Sequence, residues 1–170
     1  MTEEAAQAKR LYDAERWGEA ERALARVATG ETGDDEGNKQ LASYHLAIAI
    51  FRQGRYEEAM RFFAPMAARP GHLKHAETLL WAIKLADTLP GDQRVLRLFA
   101  TYDARAIDRF DNPSQRALFA RGTYLLGVDR YGRARFAEAS ALLQRVQPAA
   151  PEYAAAQDCL RLISQANAGR

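Results

Sequence analysis

A single cysteine, Cys159, stands in 170 residues, so no disulfide can staple this chain from within. Its neighbours are Leu160, Leu162 and Ile163, a setting that predicts a buried, inert thiol. No histidine lies near it in sequence to act as a base, which a nucleophilic thiol requires. Long apolar runs are also missing, so no membrane span is expected. The start, Thr2-Glu3-Glu4-Ala5, is acidic and lacks the basic and apolar regions of a signal peptide. The expected location is cytoplasmic, with a soluble domain trimmed from a periplasmic or membrane-anchored protein as the alternative. Two-residue alternation rich in β-branched residues is absent at useful length, which excludes strands as the main element.

Chemistry is scarce as well. The chain has no phosphate loop, nucleophile elbow or zinc cysteine cluster. His72 and His75 stand three apart with Glu77 nearby, and two imidazoles could share a metal. Glu77 is displaced around the helix, however, and the pair directly follows Pro70-Gly71, so a solvated helix start is the expectation. Asp34-Asp35-Glu36 lacks the alternating ligands of a calcium loop and reads as a flexible connector. No catalytic residue, metal or cofactor is therefore expected, and a metal-dependent enzyme is only a remote alternative. Net charge is +2 with signs mixed along the chain, unlike the concentrated basic element of a nucleic-acid binder. The mixture is uneven: residues 1–40 carry ten acidic and six basic side chains, residues 41–170 twelve and eighteen.

What the chain has in abundance is helix. Leu11, Ala14, Trp17, Ala20, Leu24 and Val27 recur at spacings of three and four, and Phe51, Phe62, Phe63 and Met66 give a similar helical pattern later. Alanine and arginine, both good helix formers, are plentiful. The pattern predicts helices over 3–15, 17–29, 39–53, 55–69, 72–88, 92–109, 113–132, 134–147 and 151–166. Thr2 before Glu3 and Glu4 suits an N-terminal cap. Asn112-Pro113 reads as a cap followed by proline at the first helical position, and Pro151 is read the same way. Asp92 would cap another helix after Pro90-Gly91. Pro65 is the misfit and should end or kink its helix near Phe62.

Internal repetition decides the fold class. Residues 46–63 carry Leu46-Ala47, Ile50, Gly54, Tyr56, Ala59 and Phe63. Small residues at Ala47 and Ala59 let antiparallel helices approach, large ones fill the space around them, and Gly54 permits a tight turn. This segment resembles the tetratricopeptide repeat (TPR) in its bacterial form, with Ala47 in place of glycine and Ile50 in place of tyrosine. Weaker copies are Ala8, Leu11, Trp17, Ala20, Leu24 and Val27, and then Leu126-Gly127, Phe136, Ala139, Leu143 and Val146. In the last copy Arg130 stands where the aromatic is expected and Tyr131 follows, leaving the register open. Residues 72–109 fit badly. The resemblance implies one all-α domain over 1–170, a TPR-like α-solenoid of about four antiparallel helix pairs, the third degenerate, plus a C-terminal capping helix.

It also implies a function: a scaffold or adaptor that binds another protein, as a peptide or helix, in a concave groove lined by the first helix of each pair. By phase, that face comprises Lys9, Tyr12, Tyr44, His45, Ile48, Phe51, Arg52, Arg121, Tyr124, Val128 and Tyr131. Aromatic and arginine side chains are common anchors, although aromatics also fill cores. The lysine and asparagine clamp that some family members use on acidic C-termini is not matched, since Ala5, His45 and Ile48 stand at candidate positions and only Lys9 is basic. The alternative is a dedicated chaperone of a secretion or assembly system, although such chaperones are typically acidic and this chain has a pI near 8.8. No nucleic acid and no membrane insertion are expected, and self-association is left open.

Overall fold

In the computed structural model, residues 1–89, 110 and 112–169 are described. Among them the regular structure is entirely helical: α1 (Glu3–Asp13), α2 (Trp17–Ala28), α3 (Glu36–Arg52), α4 (Tyr56–Ala67), α5 (His75–Thr88), α6 (Pro113–Gly132), α7 (Phe136–Leu143) and α8 (Tyr153–Ala168). The chain forms two compact units, Met1–Asp92 and Gln93–Arg170. The expected helix over 92–109 and the cap at Asp92 lie outside the described residues.

In the first unit each helix packs on its successor, and α1 also reaches α3. In the second, α7 packs on α6, and α8 lies against both. This is the consecutive-pair packing of a TPR-like solenoid. Ala8, Ala20, Ala47 and Ala59 are completely buried where helices cross, as is Phe63 beside them. The second unit repeats the device with Ala139 and Leu143. Gly127 stands where the earlier copies have Ala8 and Ala47. A Cβ there would come within 2.9 Å of the Leu143 side chain, so glycine is what allows α6 and α7 to approach this closely.

Three turns between paired helices are copies of one another. Arg16, Arg55 and Arg135 precede α2, α4 and α7 with ψ of 65°, 65° and 64°. The residue before each arginine is left-handed: Glu15 at φ 56°, Gly54 at 77° and Ala134 at 57°. The arginine amides donate back to the carbonyls of Leu11, Ile50 and Arg130, closing the end of the preceding helix. Each guanidinium then reaches the glutamate three residues on, giving Arg16–Glu19 at 2.5 Å, Arg55–Glu58 at 2.5 Å and Arg135–Glu138 at 2.6 Å. These pairs lie at the surface, where solvent and salt screen them, but they hold the arginine over the helix start. Arg55 also pairs with Glu21 of α2 at 2.8 Å, and Gln53 Nε2 donates to the same carboxylate at 2.7 Å.

Several local expectations hold, and others are corrected. Thr2 caps α1 by accepting from the Ala5 amide at 3.2 Å, and Asn112 caps α6 with Pro113 in its first turn. α4 does not stop near Phe62: it runs to Ala67 with Pro65 inside. The proline falls in the last turn, where it removes a single helical hydrogen bond. Asp34-Asp35-Glu36 is no flexible connector. Asp34 is buried, and its carboxylate accepts from the Thr2 amide (2.9 Å), the Thr2 hydroxyl (2.5 Å) and the Thr32 hydroxyl (2.8 Å). Those bonds, the one from the Thr2 hydroxyl above all, hold its pKa below the usual carboxylate range. Asp35 caps α3 through the Asn38 amide at 2.8 Å. α8 begins at Tyr153, with Pro151 in the turn before it rather than at its first position. Cys159 is only half-buried, packed beside Ala156 and Ile163.

Candidate functional site

The turn geometry fixes an aromatic pair at each copy. The last residue but one of the first helix meets the first residue of the second: Tyr12 with Trp17 (centroids 5.4 Å), Phe51 with Tyr56 (5.1 Å) and Tyr131 with Phe136 (5.7 Å). Tyr131, not Arg130, is therefore the counterpart of Tyr12 and Phe51. Arg130 is instead drawn inward and pairs with Asp129 at 2.8 Å and Glu138 at 3.5 Å.

In the first unit these pairs join into a continuous array across α1, α3 and α5. Tyr12 lies 4.7 Å from His45, and His45 lies 5.5 Å from Tyr44. The Trp81 indole N–H donates to the Tyr44 hydroxyl at 2.9 Å. The Trp81 ring stacks on Phe63 at 5.7 Å and meets Phe51 edge-on at 5.0 Å. Each such ring pair is worth about 0.5–1.5 kcal/mol beyond area burial, so the rings hold one another in place. Its rings are half-buried apart from Phe63, which is fully enclosed.

Cations edge the array. Arg52 lies 5.9 Å from the Trp17 ring, Lys74 lies 5.9 Å from Tyr44, and Lys84 lies over both Trp81 (4.8 Å) and Phe51 (5.6 Å). Lys9 pairs with Asp13 at 2.5 Å and Lys74 with Glu77 at 2.8 Å. Arg52 and Lys84 make no ion pair among the described residues, and both are exposed.

This setting shifts the titrating groups. Burial pushes Tyr44 up to about 12 and raises Tyr12 as well. Burial, aided by the positive Lys9 and Lys74, lowers His45 below the ordinary histidine value. At neutral pH the array is thus uncharged at its centre and positive at its edge.

Of the residues expected on this face, Tyr12, Tyr44, His45 and Phe51 come together, with Lys9 and Arg52 exposed beside them. Ile48 is buried and taken up in packing. Arg121, Tyr124, Val128 and Tyr131 are half-buried on α6, where Tyr124 and Tyr131 pack against the core of the second unit. Sequence reasoning missed Trp81, Lys74 and Lys84. The available signal was the apolar stripe of Leu79, Trp81 and Leu85 on a helix without the small-residue signature that would have set its phase.

The histidine pair is not arranged as expected. His72 is buried rather than solvated, and in the turn after α4 its amide donates to the Arg69 carbonyl at 2.9 Å. Its Nδ1 accepts the Lys74 amide at 3.1 Å. No group of three or more His, Cys, Asp or Glu placed to hold a metal occurs among the described residues. Nor is any described helix long and apolar enough to cross a membrane.

Two crystal structures resemble the chain as a whole. Both are of a Podosopora anserina protein provisionally named a kinesin light chain, with nearly identical TPR-like repeats, one of them a point variant of the other. The TM-scores are 0.52 and 0.53 at 18% identity, covering 99% of this chain and 87% and 86% of theirs. No family model matches, and no curated protein matches. At this identity the likeness establishes the TPR-like fold.

Proposed function

We propose that the chain is a protein-interaction adaptor that docks a segment of a partner protein on the face formed by α1, α3 and α5. The observation that carries the reading is the array of half-buried rings from Tyr12 to Trp81, edged by Arg52 and Lys84. Half-buried aromatics offer contact area with little entropy left to lose. Cations with no ion pair among the described residues favour a segment that brings its own carboxylates. The face therefore suits an extended peptide or a helix with an apolar stripe and acidic flanks.

Charge reversal tests this without disturbing the core. Arg52→Glu/Lys84→Glu changes two exposed side chains. Partner recovery in affinity purification should fall at least tenfold while the circular dichroism spectrum stays unchanged. Equal recovery by parent and variant would place the partner elsewhere.

A further inference from the structure

A second recess lies on the first unit, away from the aromatic array. It encloses about 360 Å³ among the end of α2, the start of α3, the end of α4 and the turn that follows, a size at the lower end for small-molecule sites. On α3 it uses Lys39, Gln40 and Ser43, whereas the array uses Tyr44, His45 and Phe51. At about 100° per residue these sets lie roughly a third of a turn apart.

The hydrogen-bonding capacity of its wall is spent unevenly. Glu36 accepts from Gln40 Nε2 at 3.2 Å and pairs with Lys39 at 3.4 Å. Gln40 Oε1 accepts the Leu73 amide, and Ser43 donates to the Lys39 carbonyl. The unspent groups are donors. The Arg61 and Arg69 side chains line the recess and form no ion pair or hydrogen bond among the described residues. His72, 5% exposed, also lines it. Because its Nδ1 accepts the Lys74 amide, the neutral ring carries its proton on Nε2, and that N–H has no acceptor among the described residues. The two guanidiniums are exposed, so three donors with no protein acceptor among the described residues line one recess. Phe62, Pro65 and Met66 supply an apolar wall beside them.

We infer that this recess binds a phosphate monoester carrying an apolar group. The anion would accept from Arg61, Arg69 and the His72 Nε2–H, and the apolar part would lie against Phe62 and Pro65. Planar guanidinium forks match phosphate oxygens in pairs. The lining charges of Lys39, Arg61 and Arg69 exceed the single carboxylate of Glu36, which suits a dianion.

The test is an NMR titration of the full chain with phenyl phosphate, inorganic phosphate and phenol. Saturable shifts should centre on residues 28–43 and 61–72 and include the His72 ring nitrogens. Phenyl phosphate should bind more tightly than inorganic phosphate, and phenol should not bind. Arg61→Gln/Arg69→Gln removes two exposed guanidiniums and should weaken phenyl phosphate by at least tenfold, the scale of a lost charge-assisted bond, while Arg145→Gln should change nothing. A short phosphopeptide that binds more tightly than phenyl phosphate would identify a modified protein as the source, and equal affinity a small molecule. Shifts scattered equally over surface arginines such as Arg116 and Arg145, or an unweakened double variant, would overturn the assignment. Loss of the partner in the Arg52/Lys84 experiment has no bearing on this result.

Discussion

The three copied turns carry different residues at one left-handed position, which makes a prediction with an unusual sign. Alanine at Ala134 and glycine at Gly54 adopt φ of 57° and 77°. A left-handed L-residue costs about 1–2 kcal/mol. Glycine avoids that cost but gives the unfolded chain extra freedom, worth about 0.4–1 kcal/mol against it. The difference predicts that Ala134→Gly stabilises by roughly 0.5–1 kcal/mol. Inside a helix the same change destabilises by about 1 kcal/mol, as expected for the exposed Ala137 three residues on. Conversely, Gly54→Ala should cost roughly 0.5–1 kcal/mol. The cost is conformational, because nothing lies within 4 Å of a Cβ built there. Urea unfolding measures both. Trp17 and Trp81 are the two tryptophans and both lie in the first unit, so fluorescence reports Gly54→Ala and circular dichroism reports Ala134→Gly. If Ala134→Gly destabilises as Ala137→Gly does, or Gly54→Ala is neutral, the shared turn geometry is wrong.

Other outcomes follow from packing and charge. Gly127→Ala drives a Cβ to within 2.9 Å of Leu143 and should cost about 1–3 kcal/mol in a urea melt, despite the gain in helix propensity. Trp81→Phe loses the bond to the Tyr44 hydroxyl together with part of the indole's packing, so it should cost at least about 0.5–1.5 kcal/mol in the same assay. Asp34 has a lowered folded pKa, chiefly through its bond from the Thr2 hydroxyl. Its contribution is therefore complete above the unfolded carboxylate value of about 4 and is lost as pH falls through the folded value. Asp34→Asn should flatten that acid limb of the stability profile. His45 is lowered by burial and then by Lys9 and Lys74; its NMR titration should fall below the free value of about 6.5, and stability should decline as pH drops beneath that value.

The repeat was legible because packing constrains it. Alanine at a helix crossing and glycine in a left-handed turn have few substitutes, so residues 46–63 announce a helix pair on sight. The third copy was legible in its second helix, but its register was open at Arg130, because tyrosine at 131 pairs across the turn while arginine at 130 turns to two carboxylates. Only the geometry shows that an Arg, an aromatic and a Glu recur together at each turn, since each triad is short and its spacing common. The face on α1 and α3 followed from phase. Its third wall did not: α5 has a tryptophan stripe but no small-residue pair to orient it. The burial of Asp34 and His72 was hidden because both lie in polar segments, and Asp34 takes its bonds from Thr2, far outside the local pattern.

Whether a partner segment lies on the α1, α3 and α5 face can be read by site-specific photocrosslinking. A photoreactive residue would replace Arg52 or Lys84 on that face, or Arg22 on α2 as the control, in the native cell. Positions 52 and 84 should give one common partner adduct, and position 22 none. Adducts from position 22 alone, or equal adducts from all three, would contradict docking on that face.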